Sequence, residues 1–478
     1  MVAVNETAKS ASLFAGAAPF GQCGGGGNNL ETMTLNRRTF IAASAALASA
    51  PALGAVSASG DTDVAIIGAG AAGIAAARKV AAAGRRFALI EASDHVGGRC
   101  VTDTRIFGVP FDRGAHWLHM PDINPLAKLR TGLDLYPAPA GQKLRIGKRN
   151  AREGEMEDYL AAIVRANRAI QDSARGKADV PCVQALPKDL GDWRPAVEFV
   201  LGPFGCGKNL DEISAIDFAR SLERDVDAFC RQGFGALLAK LAADLPVQLN
   251  MAAARLQSLR NSVEIETARG RITARAAIVT VSTGVLDAGK IRFAPDLPKR
   301  HTDAIAKLSL GSYDHVALEL AGNPLQLQND DLVFEKATSA RTAALLANVS
   351  GTPLAMVEVA GKLGRELAGQ GEAAMIDFAI GWLADLYGAD VKKAVGKTHA
   401  TRWSREPWAL GAFSAAAPGG QPGRRMLMEP VRDRLFFAGE AVHETLWGTV
   451  GGAWESGERA ADAALRLWGS APSSTRRR

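Results

Sequence analysis

A glycine-rich turn between an apolar run and an alanine-rich stretch restricts the fold of this chain more than any other feature. The apolar run DVAII starts at Asp63 and leads into GAGAAG, which places Gly68, Gly70 and Gly73 in the spacing GxGxxG. The stretch AAGIAAARKVAAAG follows and ends at Gly84, a residue type common just after a helix. A short apolar run before such a helix is typical of a buried parallel strand. This order predicts a βαβ unit and an α/β fold.

Each part of the motif has a physical role in holding a dinucleotide. Gly68 makes the tight turn, Gly70 lets the backbone approach a pyrophosphate, and Gly73 lets helix and strand pack closely. The helix N-terminus offers free N–H groups and partial positive charge to the phosphates. A second apolar run, FALI, ends at Glu91, which is suited to the ribose hydroxyls. We therefore predict a Rossmann-like domain whose cofactor contacts also include Ala72 and Ala92.

Two segments just beyond this unit distinguish FAD from NAD. The first, EASDHVGGRC, contains Gly98 and Arg99, and the second, FDRGAHWLH, covers residues 111–119. With these segments the chain resembles the flavin-containing amine oxidase family, which includes monoamine oxidases, polyamine oxidases and lysine-specific histone demethylases. The resemblance implies that Gly98 and Arg99 lie against the FAD pyrophosphate. It also implies that the second segment passes beside the flavin ring, through Gly114, Ala115, His116 and Trp117.

A second block near the C-terminus strengthens the resemblance. The run LFFAGE predicts a buried strand that ends at Gly439 and Glu440, and a helix is predicted from Gly451 onward. In the family this block is the second FAD-binding motif. Glu440 would then hold the ribityl chain, and the helix N-terminus near Thr449 and Val450 would face the flavin O2. A positive helix end at that place stabilises negative charge on the flavin.

The resemblance between the two blocks is weaker. LNMAAARL suggests a strand with Ala253 at the adenine contact, AAIVTVSTGVL and IRFAPDLP fit the strands that follow, and WSREPWALGAFS suggests a strand and loop that begin at Trp403. We expect a glutathione-reductase-like FAD-binding domain and a discontinuous substrate domain of mixed sheet and helices. The expected FAD-binding segments are residues 59–124, 225–298 and 396–470, and the expected substrate-domain segments are 125–224 and 299–395. Residues 125–225 match nothing specific and are predicted to be helical.

The resemblance also implies where an amine would react. Amine oxidation requires an α C–H near flavin N5 and a dry cavity around the amine. The two tyrosines that monoamine oxidases use correspond here to Phe413 and Thr449, so the phenol pair is not reproduced. The family lysine that holds a water at N5 corresponds to His315, with Lys307 as the alternative, and Trp117 is a further wall residue. Ala412 occupies the flavin-attachment position of monoamine oxidases, so we expect non-covalent FAD.

Several functions remain compatible with these motifs. The leading hypothesis is a small-molecule amine oxidase that uses O2 and forms hydrogen peroxide. A close variant passes electrons to a periplasmic cytochrome. An L-amino acid oxidase, a desaturase of the same fold and a flavin-binding protein without turnover stay open. A desaturase would require a membrane-binding surface, and no amphipathic basic stretch is present for it. The sequence leaves the identity of the amine undetermined.

The N-terminal region predicts export. Arg37 and Arg38 stand just before the apolar run FIAASAALASA, which is shorter than a bilayer span, and small residues follow up to Ala58. This order is typical of a twin-arginine signal peptide, which implies the twin-arginine export machinery as a partner, a periplasmic location and no stable membrane insertion. Residues 1–58 are therefore excluded from the fold, as a disordered extension from 1 to 32 followed by the signal, and 471–478 are taken as a disordered tail.

Composition excludes some other functions. The formal net charge is +6, but half of it lies in the terminal run of three arginines, and no basic block with interleaved aromatics suggests nucleic-acid binding. No His, Asp or Glu cluster has metal-ligand spacing. A disulfide between Cys182 and Cys206 is conceivable after export, but a chain that folds before export cannot depend on it, which favours buried free thiols. A homodimer stays open.

Overall fold

Two large β-sheets organise the chain, whose structure is a computed structural model that describes residues 62–129, 132–139, 141–176, 178–221 and 226–468. The predicted signal peptide and C-terminal tail lie outside these residues. In chain order the strands are β1 (Thr62–Ile67), β2 (Phe87–Ile90), β3 (Thr102–Asp103), β4 (Phe111–Asp112), β5 (Leu118–His119), β6 (Leu135–Pro137), β7 (Lys143–Ile146), β8 (Arg149–Asn150), β9 (Asp227–Cys230), β10 (Val247–Gln248), β11 (Ala253–Ser258), β12 (Val263–Thr267), β13 (Gly270–Val279), β14 (Arg292–Ala294), β15 (Tyr313–Leu320), β16 (Asp331–Glu335), β17 (Ala344–Ala347), β18 (Leu354–Ala360), β19 (Val395–Ala400) and β20 (Leu435–Phe437).

The helices connect and cover these strands. The α-helices are α1 (Ala71–Ala82), α2 (Pro125–Lys128), α3 (Glu153–Ser173), α4 (Cys182–Ala185), α5 (Arg194–Phe199), α6 (Ala215–Arg220), α7 (Phe234–Ala242), α8 (Thr283–Asp287), α9 (Lys299–Lys307), α10 (Gly361–Gln370), α11 (Glu372–Tyr387), α12 (Val391–Ala394), α13 (Pro422–Met426) and α14 (Val450–Leu465). A π-helical turn covers Val200–Phe204, and 3-10 turns cover Gly191–Trp193, Val349–Gly351, Trp403–Arg405, Glu440–Val442 and Arg466–Trp468.

The first sheet contains the predicted Rossmann-like unit. Its strands follow the order β10-β2-β1-β13-β12-β11-β14, and β20 pairs with β13. The β10, β2, β1, β13 and β20 pairings are parallel, whereas β11, β12 and β13 form an antiparallel meander. The DVAII run is buried on both faces of β1, because Val64 and Ile66 pack against α1 and α14 while Ala65 and Ile67 pack in a second apolar cluster, which explains its continuous apolar sequence. The Rossmann-like fold is confirmed.

The second sheet is mixed and forms one side of a cavity. Its order is β19-β15-β18-β17-β16-β7-β8, with the β16–β7 pair parallel and the other pairs antiparallel. Alternate residues such as Val316, Val357 and Val359 pack into the core formed with α10 and α11. The intervening residues, including Ala317 and Met356, pack on the opposite face among the aromatic side chains. This alternation gives the sheet one face toward helices and one toward the cavity.

The structure differs from the sequence-based expectations in three places. Residues 403–414 form the 3-10 turn and a loop instead of a strand and loop, and Asp314 accepts the Trp403 N–H at 2.7 Å where the turn begins. The strand expected at 249–256 begins only at Ala253. The region predicted to be helical also contributes β6, β7 and β8.

One expected domain boundary also falls at the wrong point. Strand β19 pairs with β15, so it belongs to the second sheet, and a boundary at residue 396 would divide it. The described residues belong to one compact unit.

The cysteines and the apolar segments bear on the remaining structural predictions. Among the described residues, Cys100, Cys182, Cys206 and Cys230 are buried thiols that form no disulfide, as the export argument favoured. In the part of the chain that the structure describes, no helix has both the length and the apolar character that crossing a bilayer requires.

The close contact between α1 and α14 yields a stability prediction. A Cβ on Gly457 would stand 2.1 Å from the carbonyl oxygen of Ala72, so Gly457→Ala must push the two helices apart. We expect it to lower the free energy of unfolding by about 1–3 kcal/mol, the usual cost of overpacking. The matched control is Gly381→Ala in α11, where a Cβ meets nothing within 4 Å. That change should stabilise by about 0.5–1 kcal/mol. Denaturant unfolding measures both, and equal effects would contradict the packing argument.

Candidate active site

Nearly all of the predicted site residues line one cavity of about 480 Å³. It opens where the parallel strands of the first sheet end, the usual position of a ligand crevice in such sheets. Gly68 follows β1, Glu91 follows β2, Thr280 follows β13 and Gly439 follows β20, and all four line the cavity. The other predicted residues that line it are Gly70, Ala72, Ala92, Gly98, Arg99, Gly114, Ala115, His116, Trp117, Ala253, His315, Trp403, Phe413, Glu440, Thr449 and Val450.

Gly73 is the predicted site residue that does not line the cavity. A Cβ at Gly73 would stand 1.8 Å from the carbonyl oxygen of Gly68. Its role is therefore the close approach of α1 to the turn, as the motif predicts. It shapes the site without touching a ligand.

The glycine-rich turn forms a cradle for a pyrophosphate. Gly68 has φ +106°, a conformation that favours glycine, and its N–H donates to the Ile90 carbonyl at 2.8 Å. Helix α1 begins with Gly70 as its N-cap, and no side chain caps its first N–H groups. Gly70 forms a β-bridge with Gly97, so both glycine segments approach the same space. Uncapped N–H groups and glycine walls fit a dinucleotide phosphate.

Glu91 is fixed before any ligand binds. Its Oε2 accepts the Ala69 N–H at 2.7 Å, and its Oε1 accepts from the N–H and hydroxyl of Ser93, both at 2.8 Å. A carboxylate has about four acceptor positions, so one remains for a ribose hydroxyl. The carboxylate therefore fits the role that the sequence predicts for it.

Glu440 joins distant segments of the chain. Arg99 Nη1 donates to Glu440 Oε1 at 3.1 Å and to the Ala412 carbonyl at 2.5 Å. Ser414 donates to Glu440 through its N–H at 3.1 Å and its hydroxyl at 2.7 Å, and the Gly448 N–H donates at 2.9 Å. These contacts hold the carboxylate at the cavity wall and bind the two cofactor motifs to each other.

A second, deeper ion pair supports Glu440, and sequence reasoning missed it. Arg424 and Asp217 are fully buried and form two hydrogen bonds of 2.7 Å. Arg424 also donates to the Ser414 hydroxyl at 3.2 Å and to the Ala441 carbonyl at 3.1 Å. Neither residue lies in a recognised motif, and no local sequence signal pairs positions so far apart.

The N-terminus of α14 lies at the cavity wall, and the Thr449 side chain caps that helix. Thr449 is the N-cap, and its Oγ1 accepts the Gly452 N–H at 2.9 Å and donates to the Leu446 carbonyl at 2.7 Å. Its hydroxyl is thus engaged locally. The expected catalytic role of this side chain stays a prediction, and the positive helix end is what Thr449 and Val450 present to the cavity.

Aromatic and histidine side chains form the opposite wall. The rings of Phe413 and Tyr313 have centroids 5.8 Å apart, and those of Tyr313 and His315 are 6.0 Å apart. Gly207 and Gly448 make room for Phe413, since a Cβ on either would come within 3.3 Å of its ring. No sequence motif marks Tyr313, although its position two residues before His315 on one strand places both on one face.

His315 is a buried, neutral histidine. Its Nδ1 lies 2.9 Å from the carbonyl oxygen of Asp112, so Nδ1 carries the proton and Nε2 is the acceptor. Burial lowers the pKa of His315 to about 4. The alternative Lys307 is wrong, because its side chain is exposed and donates to Gly419 away from the cavity.

His116 and Trp117 complete this wall. His116 is buried, and its Nδ1 lies 2.8 Å from Asp112 Oδ2. Trp117 packs edge-to-face on Phe229 with centroids 4.8 Å apart. Within the described ranges, no group of three or more His, Cys, Asp or Glu could hold a metal ion.

The buried ion pair beneath Glu440 yields a testable prediction. Asp217→Asn leaves the Arg424 guanidinium charge buried without its counter-ion, which should cost about 3–5 kcal/mol of unfolding free energy. The double variant Asp217→Leu, Arg424→Met should recover much of that loss, because no unpaired charge remains. Denaturant unfolding measures both. The exposed pair Lys299–Asp303 is the control, and Asp303→Asn should change stability by less than about 1 kcal/mol. An Asp217 effect as small as the control would refute this account.

Comparisons with known proteins identify the family. A family described as flavin containing amine oxidoreductase matches residues 189–465, and an NAD(P)-binding Rossmann-like domain matches residues 66–129. The chain is 27% identical to polyamine oxidase 4 of Oryza sativa subsp. japonica over 84% of this chain and 88% of that protein. It is 26% identical to human lysine-specific histone demethylase 2 over 83% of this chain, and it spans 53% of the demethylase.

Solved structures share the fold at lower identity. Cyclohexylamine oxidase from Brevibacterium oxydans superposes with a TM-score of 0.73 at 19% identity, covering 86% of this chain and 100% of that one. Putrescine oxidase bound to putrescine gives a TM-score of 0.71 at 19% identity, covering 84% and 99%. The cradle at Gly68 and Gly70, together with the fixed carboxylates Glu91 and Glu440, fits FAD. This chain belongs to the flavin-containing amine oxidoreductase family and is an FAD-dependent amine oxidoreductase.

Proposed function

We propose that this protein oxidises the C–N bond of a small amine, by removal of a hydride from the α carbon, to an imine that water then hydrolyses. The observation that carries this proposal is the wall of Phe413, Tyr313 and His315 in the same cavity as the α14 N-terminus. When bound, FAD supplies the hydride acceptor at N5. The cradle at Gly70, Arg99 and the Glu440 carboxylate would hold it.

The cavity residues would position and shield the amine. Phe413 and Trp117 present aromatic surface, which attracts a substrate nitrogen and excludes water. The α14 N-terminus would stabilise negative charge that develops near it. These effects orient the α C–H toward the hydride acceptor.

The names of the relatives suggest which amines to examine, and the first experiment is anaerobic mixing of purified holoprotein with a panel. Putrescine, spermidine, cyclohexylamine and a set of L-amino acids should be compared by loss of flavin absorbance. We expect bleaching by at least one amine. Bleaching by amino acids alone would favour the L-amino acid oxidase alternative. No bleaching by any C–N substrate would overturn the proposal in favour of a desaturase or a non-catalytic flavoprotein.

We further propose O2 or a periplasmic cytochrome as the electron acceptor, with His315 affecting the reaction with O2. The neutral ring has its Nε2 free to hold a water as an acceptor, because Nδ1 donates to Asp112. Since the lowered pKa of about 4 keeps the ring neutral above that pH, this contribution should not vary between pH 6 and 9.

The His315→Ala variant tests this role. Loss of one water-mediated hydrogen bond should slow reoxidation by O2 about tenfold, whereas anaerobic reduction by the amine stays nearly unchanged. Stopped-flow absorbance separates the two half-reactions. His315→Gln, which keeps an acceptor, is the matched control and should retain most of the rate. Equal slowing of both half-reactions would contradict a role specific to O2. Transfer to cytochrome but not to O2 in the wild type would identify the other acceptor.

We also propose that the protein is exported to the periplasm through the twin-arginine route. The support is the Arg37–Arg38 pair before an apolar run, and these residues lie outside the described part of the chain. Cell fractionation with the flavin content of each fraction measured tests this proposal. Protein found solely in the cytoplasm would overturn it.

A further inference from the structure

A buried carboxyl group lies beside the cavity wall, and the mechanism proposed above does not use it. Glu358 is in the middle of β18, is fully buried, and pairs directly opposite His315 on β15. Its neighbours Val357 and Val359 point into the core formed with α10 and α11. Because strand side chains alternate, Glu358 shares the opposite face with His315, which lines the cavity. Directly opposite residues have Cβ atoms about 4.5–5.5 Å apart.

The carboxyl is only partly satisfied. The Tyr313 hydroxyl donates to Glu358 Oε2, whereas Oε1 makes no hydrogen bond of standard geometry in the described part of the structure, and the Trp117 side chain is near enough to the carboxyl to lower its pKa. A buried polar atom without a partner is costly and calls for a functional explanation. Tyr313 itself lines the cavity, so it connects the carboxyl to the space that the amine would occupy.

The surroundings of Glu358 place the pKa of its carboxyl near neutral pH. Burial raises the pKa of Glu358 to about 7, while the Tyr313 hydrogen bond, His116 and Trp117 act in the opposite direction. The titratable groups that face it are Tyr313, His315 and His116. The other neighbouring strand, Ala344–Ala347, and the turn Val200–Phe204 carry none.

The charged residues of the helix after β18 are engaged elsewhere. In α10, Lys362 pairs with Asp211, Arg365 with Glu212, and Glu366 with Arg341. These pairs lie among residues that do not line the cavity. The protonation of Glu358 therefore depends on the groups on its own face of the sheet.

The proposed reaction creates a need for a proton acceptor. Amines are ammonium ions in neutral water, and an ammonium group has no lone pair to support loss of a hydride from the α carbon. His315 is a poor acceptor, because burial lowers its pKa to about 4. Phe413 and Trp117 have no basic atom, and the Nε2 of His116 is buried with no exposed surface through which an amine could reach it. Tyr313 and Glu358 together provide a path to a carboxylate.

Resting on the proposed amine oxidation, we propose that Tyr313 and Glu358 form a relay that removes one proton from the bound ammonium group. The N–H bond of the ammonium breaks as a new O–H bond forms at Tyr313 Oη. In the same event the Tyr313 hydroxyl proton moves to Glu358 Oε2, where it is already donated. The products are a neutral amine, an intact tyrosine and a protonated carboxyl, with no oxidant consumed. Tyr313 touches the substrate, and Glu358 acts through it.

Proton counting on binding tests the relay without turnover. tert-Butylamine has no hydrogen on its α carbon, so it can bind to the holoprotein but cannot be oxidised. Calorimetry at pH 8 in two buffers of different ionisation enthalpy reports the protons released. In the wild type the proton stays inside the protein, so we expect release near zero. In Glu358→Gln and in Tyr313→Phe, binding of the neutral amine must release about one proton.

The pH dependence has a definite sign. Since the raised pKa of Glu358 is about 7, the free carboxyl is already protonated at pH 5.5, and the wild type should then also release about one proton. The control is Glu335→Gln on β16, where the carboxylate accepts from Thr342 and Trp382 outside the cavity. It should behave as the wild type. Flavin content and circular dichroism confirm that each variant is folded.

Other outcomes would overturn the relay. Zero release with weakened binding in Glu358→Gln would mean that the amine binds as a cation held by the carboxylate. About one proton released by the wild type at pH 8 would mean that Glu358 takes no proton.

A rate measurement gives an independent readout. With an oxidisable amine, Glu358→Gln should slow anaerobic reduction about 10²-fold or more at pH 7 and recover as the pH approaches the pKa of the free amine. A loss that is the same at every pH would contradict the relay. If no amine reduces the flavin of the wild type, the proposed function fails. If an amine reduces it normally and the variants release no more protons than the wild type, only the relay is wrong.

Discussion

The buried charges around Glu440 are the constraint on which the rest of the site depends. Glu440 accepts from Arg99, Ser414 and Gly448, and Arg424 supports Ser414 while paired with Asp217. These residues come from five separate segments, so the network is complete only in the folded chain. Buried charges tolerate little displacement, because each loses water that only its partners replace. The network therefore fixes where the two cofactor motifs meet and where the loop of Phe413 lies.

In the second sheet, side chains alternate between the two faces of each strand, and this alternation brings polar residues to the cavity. One face of β15 and β18 is apolar apart from Asp314 and packs on α10 and α11, which fixes the register of both strands. The opposite face then carries Tyr313, His315 and Glu358 as a consequence of that register. A one-residue slip would bury the polar set under the helices, so the apolar core enforces the position of the polar wall. The packing of the apolar face on α10 and α11 therefore determines both the stability of the sheet and the geometry of the site.

The local motifs were predictable because they encode local backbone requirements. Gly68 and Gly70 are required by a turn with positive φ and a close approach, and such requirements are visible in a short window. Other expectations failed where distant contacts intervene. The strand and loop expected at 403–414 are a 3-10 turn and a loop, and Asp314, 89 residues away in sequence, accepts the Trp403 N–H. Lys307 was a plausible alternative until the exposed position of its side chain excluded it.

The sequence by itself determined a Rossmann-like dinucleotide unit, because glycine spacing and strand-end acids act over a few residues, and its resemblance to the amine oxidase family implied an FAD site at two motifs. Only the tertiary structure placed Tyr313 and Glu358 on one wall and Arg424 beneath Glu440. Tyr313 and Glu358 are 45 residues apart in the sequence, and Arg424 and Asp217 are 207 apart. Such pairs depend on strand register and helix packing, which no local sequence window contains.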